Sequence, residues 1–248
     1  MTERTPVALS VDGTVARIVV GDGARHNALD GEGWAELGRV VRNLADLDAL
    51  RVAVISGHGA SFCAGSDVTE WIDAATDSVE GSFSRMESAF SAVEECHVPV
   101  VAKITGVAAG AGCQLALACD LRIMSASATI GMPIARLGIL PSTLFTARIV
   151  ELAGPAVARE LLYTGKLVGA QTAVSCGLAN VCVPDPELEG YTAQVLSQIC
   201  EQPPAAIAAA KRAVATVLRP TREAGDDQRQ RAVSEADFRR GINKFLRG

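Results

Sequence analysis

The sequence predicts an α/β fold, and three features carry that reading. Two short apolar alternations flank a turn near the start. A strand leading through a glycine-rich loop into a helix recurs along the first half, and proline-punctuated helical runs fill the end. Val7, Leu9 and Val11 share one face before Asp12-Gly13, and residues 15–20 follow, so the chain opens with a hairpin of two strands. Asp30 is placed as N-cap of a helix whose Trp34, Leu37, Val40, Val41 and Leu44 recur at i, i+3, i+4 spacing. Residues 51–56 read as a short buried strand. Strand, helix and strand follow at 98–104, 112–118 and 121–124. Beyond Pro141 the pattern turns helical at 142–152, 155–163 and 170–176, with a strand near 180–183. Helices at 188–200, 204–218 and 221–238 come next, with Pro203-Pro204 and Pro220 as punctuation and a short basic stretch at 237–246. No internal repeat or low-complexity run interrupts this order.

Composition narrows the function classes. The 248 residues are 49% hydrophobic and 21% charged, with formal net charge -5 and mean hydropathy +0.24, as expected of one globular domain, alone or with an appended subdomain, holding a substantial core. An acidic balance with 4% aromatics argues against a nucleic-acid partner. The most apolar stretch, 98–119, is broken by Lys103, Thr105, Gln114 and three glycines, so it reads as buried core and no membrane partner is expected. Residues 1–6 lack the features of a secretory leader. Seven cysteines without a C-x-x-C pair or zinc-like spacing point to reduced core thiols, no metal and a cytoplasmic location.

Two loops carry the candidate chemistry. The first runs through Gly57-His58-Gly59 to Ala64-Gly65-Ser66-Asp67, after a buried strand; the second spans Gly106 to Gln114, between strand and helix. Small residues let the backbone approach a ligand, and N–H groups opening a helix stabilise negative charge, so two such loops could converge on one oxygen. A dinucleotide reading fails because Leu115 stands where G-x-G-x-x-G needs its third glycine, and neither loop ends as a phosphate-binding loop does. The plainer alternative is two tight turns serving close helix–strand packing.

The motifs Arg25-His26-Asn27-Ala28-Leu29-Asp30, Phe62-Cys63-Ala64-Gly65-Ser66-Asp67 and Gly106 through Cys119-Asp120-Leu121-Arg122-Ile123 occur here in order and spacing similar to the crotonase (enoyl-CoA hydratase/isomerase) superfamily. Leu137-Gly138-Ile139-Leu140-Pro141, Tyr163-Thr164-Gly165 and Ala179-Asn180-Val181-Cys182 extend the resemblance over nearly the whole chain.

The resemblance implies a crotonase-like spiral of ββα units over residues 1–190 and a C-terminal helical trimerisation region over 191–248, giving a homotrimer or a dimer of trimers. It implies an acyl-CoA substrate or ligand, with coenzyme A part of the substrate and no prosthetic group. An enolate oxyanion would be held by the backbone N–H groups of Ser66 and Ala111, where alanine replaces a glycine and disfavours positive φ. Arg25, His26, Ala28, Ala64, Ser66, Asp67 and Val68 would line the coenzyme A path.

The family's two catalytic glutamates fall on Gln114 and Ile134, neither of which transfers a proton, so water addition by the usual route is expected to be weak. Ser142 takes a third carboxylate position; its alternative role is an N-cap. Arg136, expected in a strand after Ile134, could meet a carboxylated acyl group; its plainer role is a surface salt bridge. Among the remaining candidates, His58 lies in the first loop, and His26 and His97 are expected in exposed structural roles. Cys63 and Cys113 flank the oxyanion positions as packing residues, and Asp67 is expected to cap the next helix. The expected function is acyl-CoA thioester processing through enolate stabilisation. The alternatives are a non-catalytic acyl-CoA-binding protein and a crotonase-fold decarboxylase or thioester hydrolase.

Overall fold

The computed structural model describes residues 6–226 and 232–247, with residues 219–226 by their backbone alone. Strands β1 (Val7–Asp12) and β2 (Val15–Val20) pair antiparallel around Gly13, whose φ of 57° is the left-handed conformation a two-residue hairpin turn needs. Helix α1 (Gly31–Asn43) starts where Asp30 Oδ1 accepts from Gly33 N at 2.7 Å and buries Trp34, Leu37, Val40 and Val41. Strand β3 (Val52–Gly57) returns parallel to β2. Helix α2 (Thr76–Glu94) then crosses to β4 (Val100–Ile104), β5 (Val107–Ala109), α3 (Ala111–Ala118), β6 (Leu121–Ser125) and β7 (Thr129–Gly131). Helix α4 (Thr143–Thr164) leads to β8 (Leu167–Gly169), α5 (Ala170–Ser175), β9 (Val181–Val183), α6 (Leu188–Glu201), α7 (Pro204–Asp226) and α8 (Glu235–Phe245).

Six strands form one sheet in the order β1-β2-β3-β4-β6-β9, parallel except for the hairpin, and β5-β7-β8 form a second. The chain alternates between them. β4 and β6 belong to the large sheet, and their successors β5 and β7 pair parallel in the small one. The turn after β3 repeats this in miniature, because Cys63 bridges Ala108 of β5 in parallel register. Each pass thus leaves one strand in each sheet, and the main core fills the space under α1, α2 and α3 with Trp34, Phe62, Phe90 and Leu115 wholly buried.

Several sequence expectations shift. Leu9 and Val11 are 40% and 45% exposed, because β1 is the edge of the sheet and nothing in the described residues covers its outer face. The segment holding Arg136 is a 3₁₀ turn, Pro133–Leu137, not a strand; Pro133 starts it and supplies no N–H for a sheet. The helices expected at 142–152 and 155–163 form one element, α4, broken at Gly154 (φ 77°, ψ 166°) ahead of Pro155. Pro220 does not end α7, since a proline removes one helical bond without forbidding the turns on either side. The helix expected at 221–238 spans residues 227–231, outside the described residues, and α8 begins at Glu235.

One buried ion cluster ties α4 to α2. Arg148 of α4 is 4% exposed and donates from Nε to Glu94 Oε1 at 2.8 Å and from Nη2 to Glu87 Oε1 at 2.5 Å, both on α2. Its guanidinium carbon lies 5.4 Å from the centroid of the Phe90 ring. Burial disfavours its charge, but the bonds to Glu94 and Glu87 outweigh that and raise its pKa. Removing one member of such a cluster strands the others' charge in a poorly solvated place. Arg148→Met is therefore expected to lower unfolding stability by about 3–5 kcal/mol in guanidinium chloride titration.

Candidate functional site

The two glycine loops meet because their strands are in register. Cys63 N donates to Val107 O at 2.9 Å and Cys63 O accepts from Ala109 N at 3.0 Å, so the stretches that follow, 64–66 and 109–111, run side by side. Backbone is packed on backbone there. A Cβ on Gly112 would fall 1.9 Å from Cys63 O, and one on Gly65, at φ 105°, 3.1 Å from Ala111 N. The glycines expected to serve close approach do so.

That contact fixes two N–H groups. Ser66 forms a parallel bridge with Leu29 in which Leu29 N donates to Gly65 O at 2.9 Å and Asp67 N donates to Leu29 O at 2.8 Å; the Ser66 N–H is thereby turned to the opposite edge. Ala111 is the first residue of α3, where an N–H has no partner within the helix. Among the described residues neither group is given to a protein acceptor. The positive φ falls on Gly110 at 55°, one residue earlier, so Ala111 bears none of the backbone strain that a side chain there was expected to introduce. The Ser66 side chain is engaged elsewhere, its Oγ accepting from Trp34 Nε1 at 3.1 Å and lying 2.8 Å from Met86 Sδ.

Both residues line a cavity of 320 Å³. Arg25, His26, Ala28, Ala64, Asp67 and Val68, all named from sequence, stand in its wall, and so do Ile134 and Pro133. Apart from Thr69 the rest is apolar, and Trp71, Phe83, Met86, Leu137, Phe145 and Phe245 come from the 3₁₀ turn after Asp67, from α2, from the turn before α4, from α4 and from α8. These residues were not read as site residues. Their only signal is an apolar stripe, which any core helix shows.

The remaining candidates sit outside the lining. Gln114 is wholly buried behind it, with Nε2 donating to Phe145 O at 3.1 Å and Oε1 accepting from Arg148 Nη1 at 3.5 Å. Ser142 is exposed, and its Oγ accepts from Phe145 N at 3.1 Å as the N-cap of α4. Arg136 lies beside Gly165, where a Cβ would be 3.2 Å from its Nε. His58 and His97 are exposed, and His58 sits near Gly23. Burial pushes the Cys63 and Cys113 thiols up to about 12, which leaves them protonated and unreactive. Among the described residues no three His, Cys, Asp or Glu side chains gather as a metal site.

The mouth is shaped by a turn of rare geometry. Arg25, His26 and Asn27 all have positive φ, at 47°, 53° and 62°. Buried Asn27 holds the turn: its Nδ2 donates to Ser61 O at 2.7 Å and His58 O at 2.9 Å, and its Oδ1 accepts from Gly23 N at 2.8 Å. His26 Nδ1 lies 2.9 Å from Ser61 Oγ. Arg25 pairs with Asp67 and donates to Thr69 Oγ1 at 3.0 Å. Asp67 also caps the next 3₁₀ turn, accepting from Thr69 N at 3.1 Å.

With this geometry in place, comparison with known proteins is informative. The Enoyl-CoA hydratase/isomerase family profile matches residues 10–247. The chain belongs to the enoyl-CoA hydratase/isomerase family. It is 35% identical over 207 residues to a carnitinyl-CoA dehydratase of Proteus mirabilis, covering 82% of this chain and 77% of that one. To a short-chain-enoyl-CoA hydratase of Clostridium acetobutylicum it is 31% identical over 215 residues, covering 86% and 82%. A solved enoyl-CoA hydratase/isomerase of Mycobacterium paratuberculosis superposes with TM-score 0.86 at 26% identity, covering 98% of this chain and 100% of that one. Family membership and the two-sheet crotonase fold agree with the motifs read from sequence.

The Asp67 carboxyl gives a pH test of the mouth. Partial burial pushes its pKa up, but the bonds from Thr69 and the Arg25 guanidinium outweigh burial and hold it below the ordinary carboxylate range. A depressed native pKa contributes stability that is present above the ordinary value and lost as pH falls through the native one. Asp67→Asn is expected to flatten the fall in thermal midpoint below about pH 4, read by scanning calorimetry across pH.

Proposed function

We propose that the cavity receives an acyl-CoA thioester with its carbonyl oxygen between the N–H groups of Ser66 and Ala111, and that this pair stabilises an enolate. The observation that carries the reading is the pair of uncommitted N–H groups at an apolar cavity. Enolate charge builds on the thioester oxygen as a proton or another group leaves the neighbouring carbon. Two fixed donors facing that oxygen favour the charged state, and each is worth about 2.7–4 kcal/mol. Arg25, His26, Ala28, Ala64, Asp67 and Val68 would guide the coenzyme A portion, with the phosphates nearest the exposed Arg25. No prosthetic group is needed.

Gln114 and Ile134 set the limits of the reaction. Ile134 offers the cavity only hydrocarbon. The Gln114 amide is occupied within the wall by Phe145 O and Arg148. With neither position able to transfer a proton, addition of water to a 2-enoyl-CoA should be slow, since each such group is worth about 10²- to 10⁴-fold. Ser142, engaged in capping α4, does not replace them. Arg136 lies off the lining, which weighs against a decarboxylase that reads a second carboxylate through it. Ile134 in place of an acid–base group favours a second reading, a protein that binds acyl-CoA without turning it over.

The resemblance further supports a homotrimer or dimer of trimers in the cytoplasm, with residues 1–190 as spiral core and 191–248 as the helical region that assembles it. Val214 and Val217 on α7, 61% and 78% exposed, are apolar surface that assembly would cover. Light scattering is expected to give three or six times the 25.8 kDa chain mass.

The deciding experiment incubates the protein with 2-enoyl-, 3-enoyl- and malonyl-type CoA thioesters in D₂O, following products by mass spectrometry and binding by calorimetry. Binding of the thioesters with little water addition is expected. Rapid hydration of a 2-enoyl-CoA would overturn the assignment of Gln114 and Ile134, and binding without any turnover would establish the second reading. Ile134→Glu, which puts a carboxylate on the cavity wall, is expected to gain crotonyl-CoA hydration by about 10²-fold, while Gln114→Glu alone gains little because residue 114 lies behind the lining.

A further inference from the structure

We infer that Trp71 selects acyl groups carrying a carbonyl oxygen beyond the β-carbon, an inference that rests on the acyl-CoA reading of the cavity. Trp71 is 3% exposed and stands in the cavity wall, yet among the described residues its Nε1–H has no hydrogen-bond partner. Every other polar side chain of the lining is engaged within the protein. Arg25 meets Asp67 and Thr69, His26 meets Ser61, and Ser66 meets Trp34 and Met86. The contrast with Trp34, whose indole N–H is satisfied by Ser66 Oγ at 3.1 Å, shows what Trp71 lacks.

A buried donor without an acceptor is unfavourable, and native proteins keep few of them. A ligand in this cavity can bring the missing acceptor. The indole N–H only donates, so its best match in an apolar cavity is an acceptor-only oxygen. A ketone fits, because a hydroxyl would bring a proton needing its own partner. The nitrogen is covered, so contact requires the indole to turn between its neighbours, a stacked ring, Phe83 at 5.5 Å and 20°, and a tilted one, Phe238 at 5.7 Å and 48°. Met86, which meets Ser66 Oγ, and Phe83, which stacks on Trp71, sit about one turn apart on α2, so Trp71 stands further along the cavity than Ser66 and the contact falls on the acyl tail, leaving the thioester oxygen to Ser66 and Ala111.

The test is calorimetric binding of hexanoyl-, 4-oxohexanoyl- and 5-oxohexanoyl-CoA to the full chain and to Trp71→Phe, which keeps a ring against Phe83 and removes the N–H. At least one oxo-acyl thioester is expected to bind about 10-fold tighter than hexanoyl-CoA, a difference of about 1.4 kcal/mol, and the ratio should fall to about 1 in the variant. In the ¹⁵N-labelled wild-type protein the Trp71 indole N–H resonance should move downfield with that ligand and not with hexanoyl-CoA; this measurement decides the matter if Trp71→Phe does not fold. Equal binding of the three thioesters, or a preference that survives Trp71→Phe, overturns the inference and leaves the acyl-CoA reading intact. Binding of none of them overturns both.

Discussion

Everything at the site depends on one backbone contact, the parallel bridge between Cys63 and Ala108 that lets two loops from different passes of the chain run side by side. It needs residues without side chains where the backbones cross, because a methyl on Gly112 would overlap Cys63 O. Once the loops are in register, Ser66 and Ala111 are brought together without any side-chain contact between them. Their N–H groups are left over by two different rules: Ser66 by the geometry of its bridge to Leu29, Ala111 by its place at the start of α3. A site made this way is as rigid as the two sheets that set it.

The polar side chains around the cavity mostly serve the scaffold. Asn27 spends its amide on holding a left-handed turn whose non-glycine residues are strained by about 1–3 kcal/mol each. Gln114 and Arg148 bind each other and the segments behind the wall, and Ser142 caps α4. What faces the cavity is two backbone donors, a polar edge at Arg25, His26, Asp67 and Thr69, and a shell of hydrocarbon.

The strand, loop and helix order of the first half was legible because each element is long enough to show its period. β3, β4, α3 and β6 appear within two residues of where the spacing put them. The second sheet was not, since β5, β7 and β8 have three residues each and three residues show no alternation. Helix α2 was missed as a defined element, its serines and Gly81 masking the stripe of Val79, Met86, Phe90 and Val93. Trp71, Phe83 and Phe245 look in sequence like any buried aromatics, and nothing local says that they surround a cavity.

By itself the sequence determined the family, the two glycine loops, the uncharged residues at positions 114 and 134, and the caps at Asp30 and Ser142. These are matters of residue identity and short spacing, which a linear reading contains. The tertiary structure decided which of those residues share a cavity, that Gln114 faces the Arg148 cluster, and that the Trp71 donor lacks a partner among the described residues. Those facts depend on contacts between segments tens of residues apart, set by the register of two sheets and the packing of α2, α4 and α8, and no local pattern encodes them.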